Sequence, residues 1–307
     1  MVLFVVIYPQ IYINCLMRNA FLTLFFLINY SSVFSQENEF LGLIKLNKTS
    51  IISYRLSFTE QNGKISGYST TDLGGDNETK NKIEGLYNKS TNEFSFTEKN
   101  IIFSKSKIVK NDFCYLSYKG KLKLTGSNKK LSGNFKSFFK DGQICLSGQI
   151  DLVELGKAQK RIHKMNSKIQ NSKLVSKERK DSINLDKMLD ELTINKITKD
   201  QVTSVYWDTD ELQIEIWDAN QEDGDEISII VDDQTILRNY KVLNTKKYLT
   251  VKLDNEITKL KIVANSVGKF SPNTAKISIK NTEKSIDLIS ELEKNEITTI
   301  QIIKDKK

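Results

Sequence analysis

The clearest candidate for chemistry in this sequence is a run of oxygen-bearing side chains between two predicted strands. The run contains Asp218, Asn220, Glu222, Asp223 and Asp225. Because Ca²⁺ takes about six to eight hard oxygen ligands, this alternation predicts a calcium site. The glycine of the run comes one position later than in the EF-hand pattern. An Asp-Gly hairpin turn is therefore an alternative interpretation of the same segment.

The sequence offers few residues for a catalytic site that depends on histidine. Its single histidine, His163, falls in a predicted surface helix rather than in a β-domain. A Ser-His-Asp device needs an imidazole beside its nucleophile, and zinc sites normally draw on His or Cys ligands. We therefore assign no catalytic residue and expect a non-enzymatic protein. Two acids suffice for glycoside hydrolysis, so a carboxylate-dependent hydrolase stays an alternative.

Cysteines occur in two parts of the chain. Cys15 lies near the N-terminus, and Cys114 and Cys145 lie in a β-rich region. Two cysteines in an oxidising compartment predict a disulfide between Cys114 and Cys145. The alternative is that both are buried free thiols that are not in contact. Closing a loop of about 30 residues would stabilise the fold by on the order of 3 kcal/mol through the unfolded state.

Residues 1–35 have the pattern of a secretory leader. After Met17, a positive charge at Arg18 precedes an apolar stretch at 21–28, and Val33 and Ser35 provide small residues at the −3 and −1 positions of the predicted cleavage site. This order is typical of a signal peptide, and the apolar stretch is shorter than the roughly 20 residues that span a bilayer. We predict that the natural start is Met17 and that cleavage follows Ser35, which gives a secreted or periplasmic protein. An uncleaved leader that holds the chain in the membrane is the alternative.

Residues 36–153 alternate apolar and polar side chains in short segments. The predicted strands are Ile51–Phe58, Lys64–Thr70, Lys82–Tyr87, Glu93–Thr97, Phe113–Tyr118, Lys121–Thr125, Leu131–Phe138 and Gln143–Leu152. A glycine follows an apolar and a polar residue at Gly67, Gly85, Gly133 and Gly148. Because strand glycines permit sharp curvature, the pattern predicts an antiparallel β-barrel of about eight strands.

The strand and glycine pattern over residues 40–152 resembles the lipocalin and avidin-like group of small barrels. The resemblance implies a binding role, with a small apolar ligand held inside the barrel. Aromatic side chains that could line such a cavity include Tyr54, Tyr68, Tyr87, Phe96 and Tyr115. The alternative is that these rings are simply packed core, because eight strands enclose a space that side chains can fill.

Residues 154–200 change to a basic, helical pattern. Apolar residues at Leu155, Ala158, Ile162, Met165 and Ile169 fall on one stripe of a helix. The other faces between positions 155 and 180 carry nine basic residues and one acid. We interpret the segment as a helical tether, with a second short helix at 185–192. Its apolar stripe could also support self-association through helices.

Residues 201–307 return to short alternating strands. The predicted strands are Val202–Trp207, Leu212–Trp217, Ile227–Val231, Tyr248–Leu253, Leu260–Ala264, Ala275–Ile279, Ser285–Leu288 and Ile297–Ile303. One apolar and one polar face per strand predict an antiparallel β-sandwich. The pattern resembles the immunoglobulin-like or jelly-roll-like modules appended to bacterial secreted proteins.

Charge is distributed unevenly along the chain. The formal net charge is +8, yet positions 205–237 contain eleven acids and no Lys or Arg. One hypothesis is that the basic tether docks on this acidic region, and the alternative is that both are solvated faces. The tether lacks the aromatic residues that single-stranded nucleic-acid binders interleave with positive charge, so we expect no nucleic-acid partner.

These patterns lead to three functional expectations. The first is an exported, non-enzymatic binding or structural protein that carries a small apolar ligand in its barrel. The second is an accessory protein that binds an envelope glycan, and the third is the hydrolase. No cofactor is indicated by the sequence apart from the calcium ion that the acidic run could hold.

Overall fold

The computed structural model describes residues 37–46, 50–126, 129–172, 174–182, 195–218, 222–269, 271–282 and 284–305. Within these ranges the protein is mainly β, with one long helix. None of the described helices combines the length and apolar character needed to span a bilayer. The predicted leader at residues 1–35 lies outside the described residues.

Eight antiparallel strands close a barrel in the N-terminal part of the chain. They are β1 (Asn38–Lys45), β2 (Ile51–Gln61), β3 (Lys64–Thr71), β4 (Thr79–Asn88), β5 (Glu93–Ser104), β6 (Tyr115–Lys121), β7 (Lys130–Phe138) and β8 (Ile144–Glu154). Each strand pairs with the next along the chain, and β8 pairs back onto β1. The predicted eight-stranded antiparallel barrel is confirmed.

Two strands of the barrel differ from the prediction. β1 was not among the predicted strands, although Phe40 and Ile44 are buried on its inner face. The predicted strand at Lys121–Thr125 leaves the sheet after Lys121. Lys121 pairs with Glu93, the first residue of β5, so the following residues have passed the end of their partner strand.

Aromatic rings fill one half of the barrel interior. Neighbouring centroids within this group lie 5.1 to 6.4 Å apart, as is usual for packed aromatic pairs. The rings belong to Phe40, Phe58, Phe94, Phe96 and Tyr118, and each is at most 1% exposed. All of them come from the same end of the barrel, so this half is a packed core.

Inward-facing glycines allow neighbouring strands of the barrel to approach closely. A Cβ atom on Gly85 would lie 1.9 Å from the carbonyl oxygen of Ser95 on β5. On Gly67 it would lie 2.1 Å from the carbonyl oxygen of Ser57 on β2. No side chain fits in that space, which gives the strand glycines Gly67 and Gly85 a physical reason.

The C-terminal part contains ten strands in two layers. They are β9 (Lys196–Thr198), β10 (Val202–Trp207), β11 (Glu211–Trp217), β12 (Asp225–Val231), β13 (Gln234–Lys241), β14 (Lys247–Lys252), β15 (Ile257–Val267), β16 (Asn273–Lys280), β17 (Ser285–Leu292) and β18 (Ile297–Lys304). One layer has the order β13-β12-β15-β18-β10 and the other has the order β14-β11-β16-β17-β9. Buried residues from both layers form one continuous hydrophobic cluster.

The predicted all-antiparallel pairing of this region is wrong at two places. β10 pairs with β18 in parallel, and β17 pairs with β9 in parallel. β9 comes from the end of the predicted tether, which therefore adds a strand to a layer instead of ending as a free linker. β13 was not predicted, because none of its residues is fully buried and its pattern lacks an apolar face.

The barrel and the C-terminal layers are joined by hydrogen-bonded strands. β5 continues beyond its pairing with β6, and its residues Phe103 and Ser104 pair with Val205 and Ser204 of β10 while they also pair with β4. A single sheet therefore runs from the barrel through β10 into the first layer.

The segment predicted as a tether begins with a helix over Leu155–Asn171, and a short helix follows at Lys177–Ser182. Leu155 and Ala158 are buried, and the long helix contacts β1 and β8 of the barrel. Met165, which was predicted on the apolar stripe, is 56% exposed. The second predicted helix at 185–192 lies outside the described residues.

Within the described part of the chain, local ion pairs engage four of the eleven acids of the acidic region. Their partners are lysines of the same C-terminal part, in the pairs Asp208–Lys284, Asp210–Lys304, Glu215–Lys246, Glu215–Lys280 and Asp233–Lys261. These lysines come later in the sequence than the acids with which they pair. Docking of the basic helix on the acidic region stays a prediction.

Candidate functional site

A cavity of about 400 Å³ opens at the end of the barrel opposite the aromatic rings. All eight strands reach it with residues at or beside the same end. The wall is largely apolar, with the side chains of Ile44, Leu46, Ile52, Ile108, Phe113, Leu116, Phe135 and Leu146. The barrel interior is therefore packed at one end and hollow at the other, and we call the hollow end the barrel cavity.

A buried carboxylate lies where the barrel cavity meets the packed half. Glu98 on β5 is 3% exposed. Its Oε1 accepts hydrogen bonds from the hydroxyls of Tyr54 at 2.8 Å and Ser69 at 2.6 Å, and its Oε2 accepts one from the backbone N–H of Leu116 at 2.8 Å. Burial raises the pKa of Glu98, although the hydrogen bonds from these groups partly oppose that rise.

Beside Glu98, a buried acceptor in the barrel cavity has no partner among the residues that the structure describes. The side-chain amide of Asn81 on β4 donates toward Glu98, which favours the ionised carboxylate. Its Oδ1 atom receives no hydrogen bond from any described residue, and the residue is 5% exposed. An unsatisfied buried acceptor costs about 1–3 kcal/mol. The cavity wall also contains polar side chains such as Asp72, Asn77 and Ser137, and Asn81 contributes the buried acceptor that a bound hydrogen-bond donor would satisfy.

The predicted disulfide lies at the rim of the barrel cavity. Cys114 and Cys145 are bonded, with their Cα atoms 5.9 Å apart. The bond ties the segment before β6 to the start of β8, on either side of the end of β7. Cys114 also lines the cavity. The pairing is confirmed, and it braces the open end of the barrel.

The five aromatic residues predicted to line a cavity are not among those that do so. Tyr54 is fully buried beneath the cavity, where it binds Glu98, and Phe96 and Tyr87 belong to the barrel core. Tyr68 is 38% exposed on the outer face of β3. Tyr115 packs outside the barrel with Ile101 and Tyr206. The packed-core alternative therefore describes Phe96 and Tyr87, and the apolar wall of the cavity is built from other residues, mainly aliphatic ones with Phe113 and Phe135.

Sequence reasoning missed Glu98 and Asn81. A signal was present, because Glu98 follows Phe94 and Phe96 at a spacing of two, and a strand places such residues on one face. Asn81 stands in the same relation to Ile83. A polar residue that continues an inward-facing apolar series is the pattern that marks both positions.

The acidic run connects the two layers of the C-terminal part. It links β11 in one layer to β12 in the other, so the hairpin alternative is wrong. Asp218 and Asp225 are buried, Glu222 accepts a hydrogen bond from the backbone N–H of Asn244, and Asp223 accepts one from that of Asp225. Asn220 lies outside the described residues.

Among the described residues, no group of three or more His, Cys, Asp or Glu side chains could hold a metal ion. The calcium site therefore stays a prediction. What the structure does bring together is a buried Asp225 with two further carboxylates, Asp218 and Asp223, whose charges act on it.

Asp225 should make stability depend on pH. Burial, with the charges of Asp223 and Asp218, raises its pKa to about 6. The folded state then binds a proton more tightly than the unfolded state, so this contribution is present below about pH 4 and is lost as pH rises through 6. We therefore compare the unfolding free energies of Asp225→Asn and the unchanged protein at pH 4 and at pH 7.5. The difference between them should shift in favour of the variant by on the order of 2 kcal/mol at the higher pH. Urea denaturation at both pH values measures this difference.

The same substitution at Asp76, an exposed residue before β4, controls for the loss of one negative charge. Parallel pH profiles for the unchanged protein and Asp225→Asn would contradict the assignment.

His163 is exposed on the long helix, well apart in sequence from the strands that build the cavity.

Comparison with protein-family models, with curated proteins and with solved structures finds no match to this chain. The functional argument therefore rests on the geometry of the chain itself.

Proposed function

We propose that this is an exported carrier that binds a small, mainly apolar molecule with one hydrogen-bond donor in the barrel cavity. The observation that carries the proposal is the combination of an apolar wall with the unpaired, buried Oδ1 atom of Asn81. Small-molecule sites are typically concave and apolar, with a few polar groups that fix orientation.

Glu98 and Asn81, the polar groups where the barrel cavity meets the packed half, favour a ligand that donates a hydrogen bond over one that accepts it. The oxygens of Glu98 already accept hydrogen bonds from three described groups. The amide nitrogen of Asn81 is directed at Glu98, so only its oxygen remains to be satisfied. An alcohol or amine group on an apolar body matches this arrangement, whereas a carboxylate would bring a second negative charge near Glu98.

Export is supported by the leader pattern and by the disulfide, because disulfides persist mainly in oxidising compartments. Within this proposal, the N-terminal part acts as a lipocalin-like barrel. The two C-terminal layers form a sandwich-like accessory module, and the shared hydrophobic cluster supports that description. The helices between them act as the tether.

Filling the barrel cavity tests the proposal. Ser137 on β7 is 3% exposed and lines the cavity, so Ser137→Leu places an apolar side chain in the ligand's space. N-phenyl-1-naphthylamine is an apolar fluorescent probe with one N–H donor. We expect it to bind the unchanged protein and to bind Ser137→Leu at least about tenfold more weakly. A substitution to Leu at Ser147, which is exposed on β8, is the matched control and should leave binding unchanged.

A pair of ligands tests the role of the donor. 1-Naphthol and naphthalene differ by one hydroxyl group, and a hydrogen bond contributes about 0.5–1.5 kcal/mol, so we expect naphthol to bind several-fold more tightly. Absence of probe binding, or equal loss in Ser137→Leu and Ser147→Leu, would refute carriage in this cavity. Equal affinity for 1-naphthol and naphthalene would refute the role of Asn81 as the acceptor of a hydrogen bond from the ligand.

An envelope glycan is the second candidate ligand, and a different surface favours it. An open groove crosses the outer face of β6, β7 and β8, where the ring of Phe138 lies among amides and lysines such as Asn134, Gln149 and Lys136. Aromatic rings next to amides suit sugar rings. The hydrolase is the third candidate, and it is less well supported because Glu98 is already engaged by Tyr54, Ser69 and Leu116.

A further inference from the structure

A second recess lies between the outer wall of the barrel and the second C-terminal layer. Its volume is about 290 Å³, and its lining is mainly polar. Arg55, Thr70 and Lys80 form the barrel wall, and Lys276 and Ser285 stand on the opposite side. We call this recess the junction cleft. It is separate from the barrel cavity, since its barrel residues point outward.

Strand register aligns the barrel wall of the junction cleft. Arg55 on β2 is paired with Thr70 on β3, and Thr70 is paired with Lys80 on β4. Directly paired residues on neighbouring strands project from the same face, so the guanidinium, the hydroxyl and the ammonium form one row. Each of these groups donates hydrogen bonds, and two of them carry a positive charge.

The positive charges in the junction cleft are incompletely balanced. Lys80 forms no ion pair with any residue that the structure describes, and its Nζ lies 4.6 Å from the ring centroid of Tyr68. Arg55 binds Glu39 through one terminal nitrogen, but its buried Nε–H donates to none of the groups in the described part of the chain. Burial and the charge of Arg55 lower the pKa of Lys80. Two cations held together in this way disfavour each other unless an anion joins them.

Nearby acids offset these cations in part, because the charges of Asp287, Glu37 and Glu78 oppose the fall in the pKa of Lys80. Glu78 lines the cleft, but its carboxylate is bound by Lys105 at 2.6 Å. Asp287 is exposed on the opposite wall, where Lys276 on the adjacent strand contributes a further positive charge. The cleft therefore places donors and positive charge in a recess that has room for an oxyanion and for a group attached to it.

We propose that the junction cleft binds an oxyanion, namely a phosphate or sulfate group, either free or carried on a sugar. Arg55 Nε, Thr70 Oγ1 and the ammonium groups of Lys80 and Lys276 donate to its oxygens. Such charge-assisted hydrogen bonds are the stronger kind, and arginine and lysine are the side chains that supply them to phosphates. Because the cleft lies between the barrel and the second layer, a bound anion would also link the two.

Calorimetric titration of the purified protein with sodium phosphate and with sodium sulfate tests the proposal, with sodium chloride at equal ionic strength as the reference. We expect saturable binding of phosphate or sulfate. Lys80→Gln and Lys276→Gln, which alter opposite walls, should each weaken it about tenfold or more. Lys82→Gln removes the same charge from an exposed position on β4 outside the cleft and is the matched control.

Glucose 6-phosphate and glucose 6-sulfate distinguish the two sources of the group. Tighter binding of the sugar esters than of the inorganic ions indicates a group carried on a sugar, and equal binding indicates the free ion. Either result supports the cleft. No binding beyond the chloride reference, or an equal loss in Lys80→Gln, Lys276→Gln and Lys82→Gln, would overturn the proposal. Binding of N-phenyl-1-naphthylamine to the barrel cavity is independent of each of these outcomes.

Discussion

Lys105→Met should lower the free energy of unfolding by about 3–5 kcal/mol at pH 8, because it leaves a buried carboxylate without its counter-ion. The Nζ atom of Lys105 lies 2.6 Å from Oε2 of Glu78, and the two side chains are 2% and 5% exposed. Burial raises the pKa of Glu78, and the charge of Lys105 opposes that rise. Urea denaturation followed by circular dichroism measures the loss.

The loss should depend on pH in a defined direction. Without Lys105, the pKa of Glu78 in the folded state rises further above its unfolded value, so the folded state takes up a proton. Stability is then retained at low pH and is lost as pH rises through the folded pKa. We therefore expect Lys105→Met to be less destabilising at pH 5 than at pH 8.

Two further variants complete this test. The double variant Glu78→Leu with Lys105→Met replaces the ion pair by apolar groups and should recover most of the loss, because a buried pair contributes little net stability. Lys82→Met breaks the exposed pair with Glu84 and should cost at most about 1 kcal/mol. Equal losses for Lys105→Met and Lys82→Met would show that the burial of the first pair has no energetic consequence.

The position of this ion pair explains why its loss should affect the whole molecule. Glu78 precedes β4, and Lys105 follows β5, whose last residues pair with β4 on one edge and with β10 on the other. With its amide nitrogen turned toward the carboxylate, Asn195 beside β9 lies 3.1 and 3.3 Å from the oxygens of Glu78. Three chain segments therefore meet at one buried charge, between the barrel and the C-terminal layers.

Local patterns allowed the strands to be predicted because each buries one face. The alternation of Tyr54, Leu56 and Phe58 identifies β2 without reference to the rest of the chain. β13 has no such face, and β9 has only three residues, so neither carries enough local signal. The parallel pairings of β9 and β10 depend on which distant strands meet, and the period of a single strand does not contain that information.

The candidate sites were harder to predict for the same reason. Whether an inward-facing ring such as Phe96 fills the core or lines a cavity depends on the residues that other strands place at the same level. The contact of Asn81 with Glu98 depends on strand register, including the irregular pairing of β4 with β5 between Asn81 and Ile83. The row of Arg55, Thr70 and Lys80 likewise exists only once three strands are aligned. The disulfide is an exception. It could be predicted because two cysteines remain after the predicted leader and export implies an oxidising compartment.

The packed and hollow halves of the barrel divide its energetic roles. The aromatic end contains the large buried side chains that stabilise the closed sheet, while the open end is braced by a disulfide instead of a core. A cavity costs stability because its lining atoms lose contacts. The barrel cavity is therefore tolerated where a covalent bond holds the strands, which is consistent with a site kept open for a ligand.

Gly85→Ala should be among the most damaging small substitutions in the barrel, with a loss of about 3 kcal/mol. The added Cβ would lie 1.9 Å from the carbonyl oxygen of Ser95 and 2.8 Å from the Cα of Phe96. Both are backbone atoms of β5, so relief requires β4 and β5 to separate, which weakens their hydrogen bonds and the packing of Phe94 and Phe96. Circular dichroism during urea denaturation reports this loss.

Gly156→Ala is the matched control for this prediction. Gly156 is exposed near the start of the long helix, and nothing lies within 4 Å of the position that its Cβ would take. Alanine is favoured over glycine in a helix by about 0.5–1 kcal/mol, so this variant should be equal to or more stable than the unchanged protein. Circular dichroism is the measurement to use because both tryptophans, Trp207 and Trp217, lie in C-terminal strands. Their fluorescence would report unfolding of that part and not of the barrel. If Gly85→Ala left the dichroism midpoint unchanged, β4 and β5 could separate freely, and the close strand approach would have no part in holding the barrel closed.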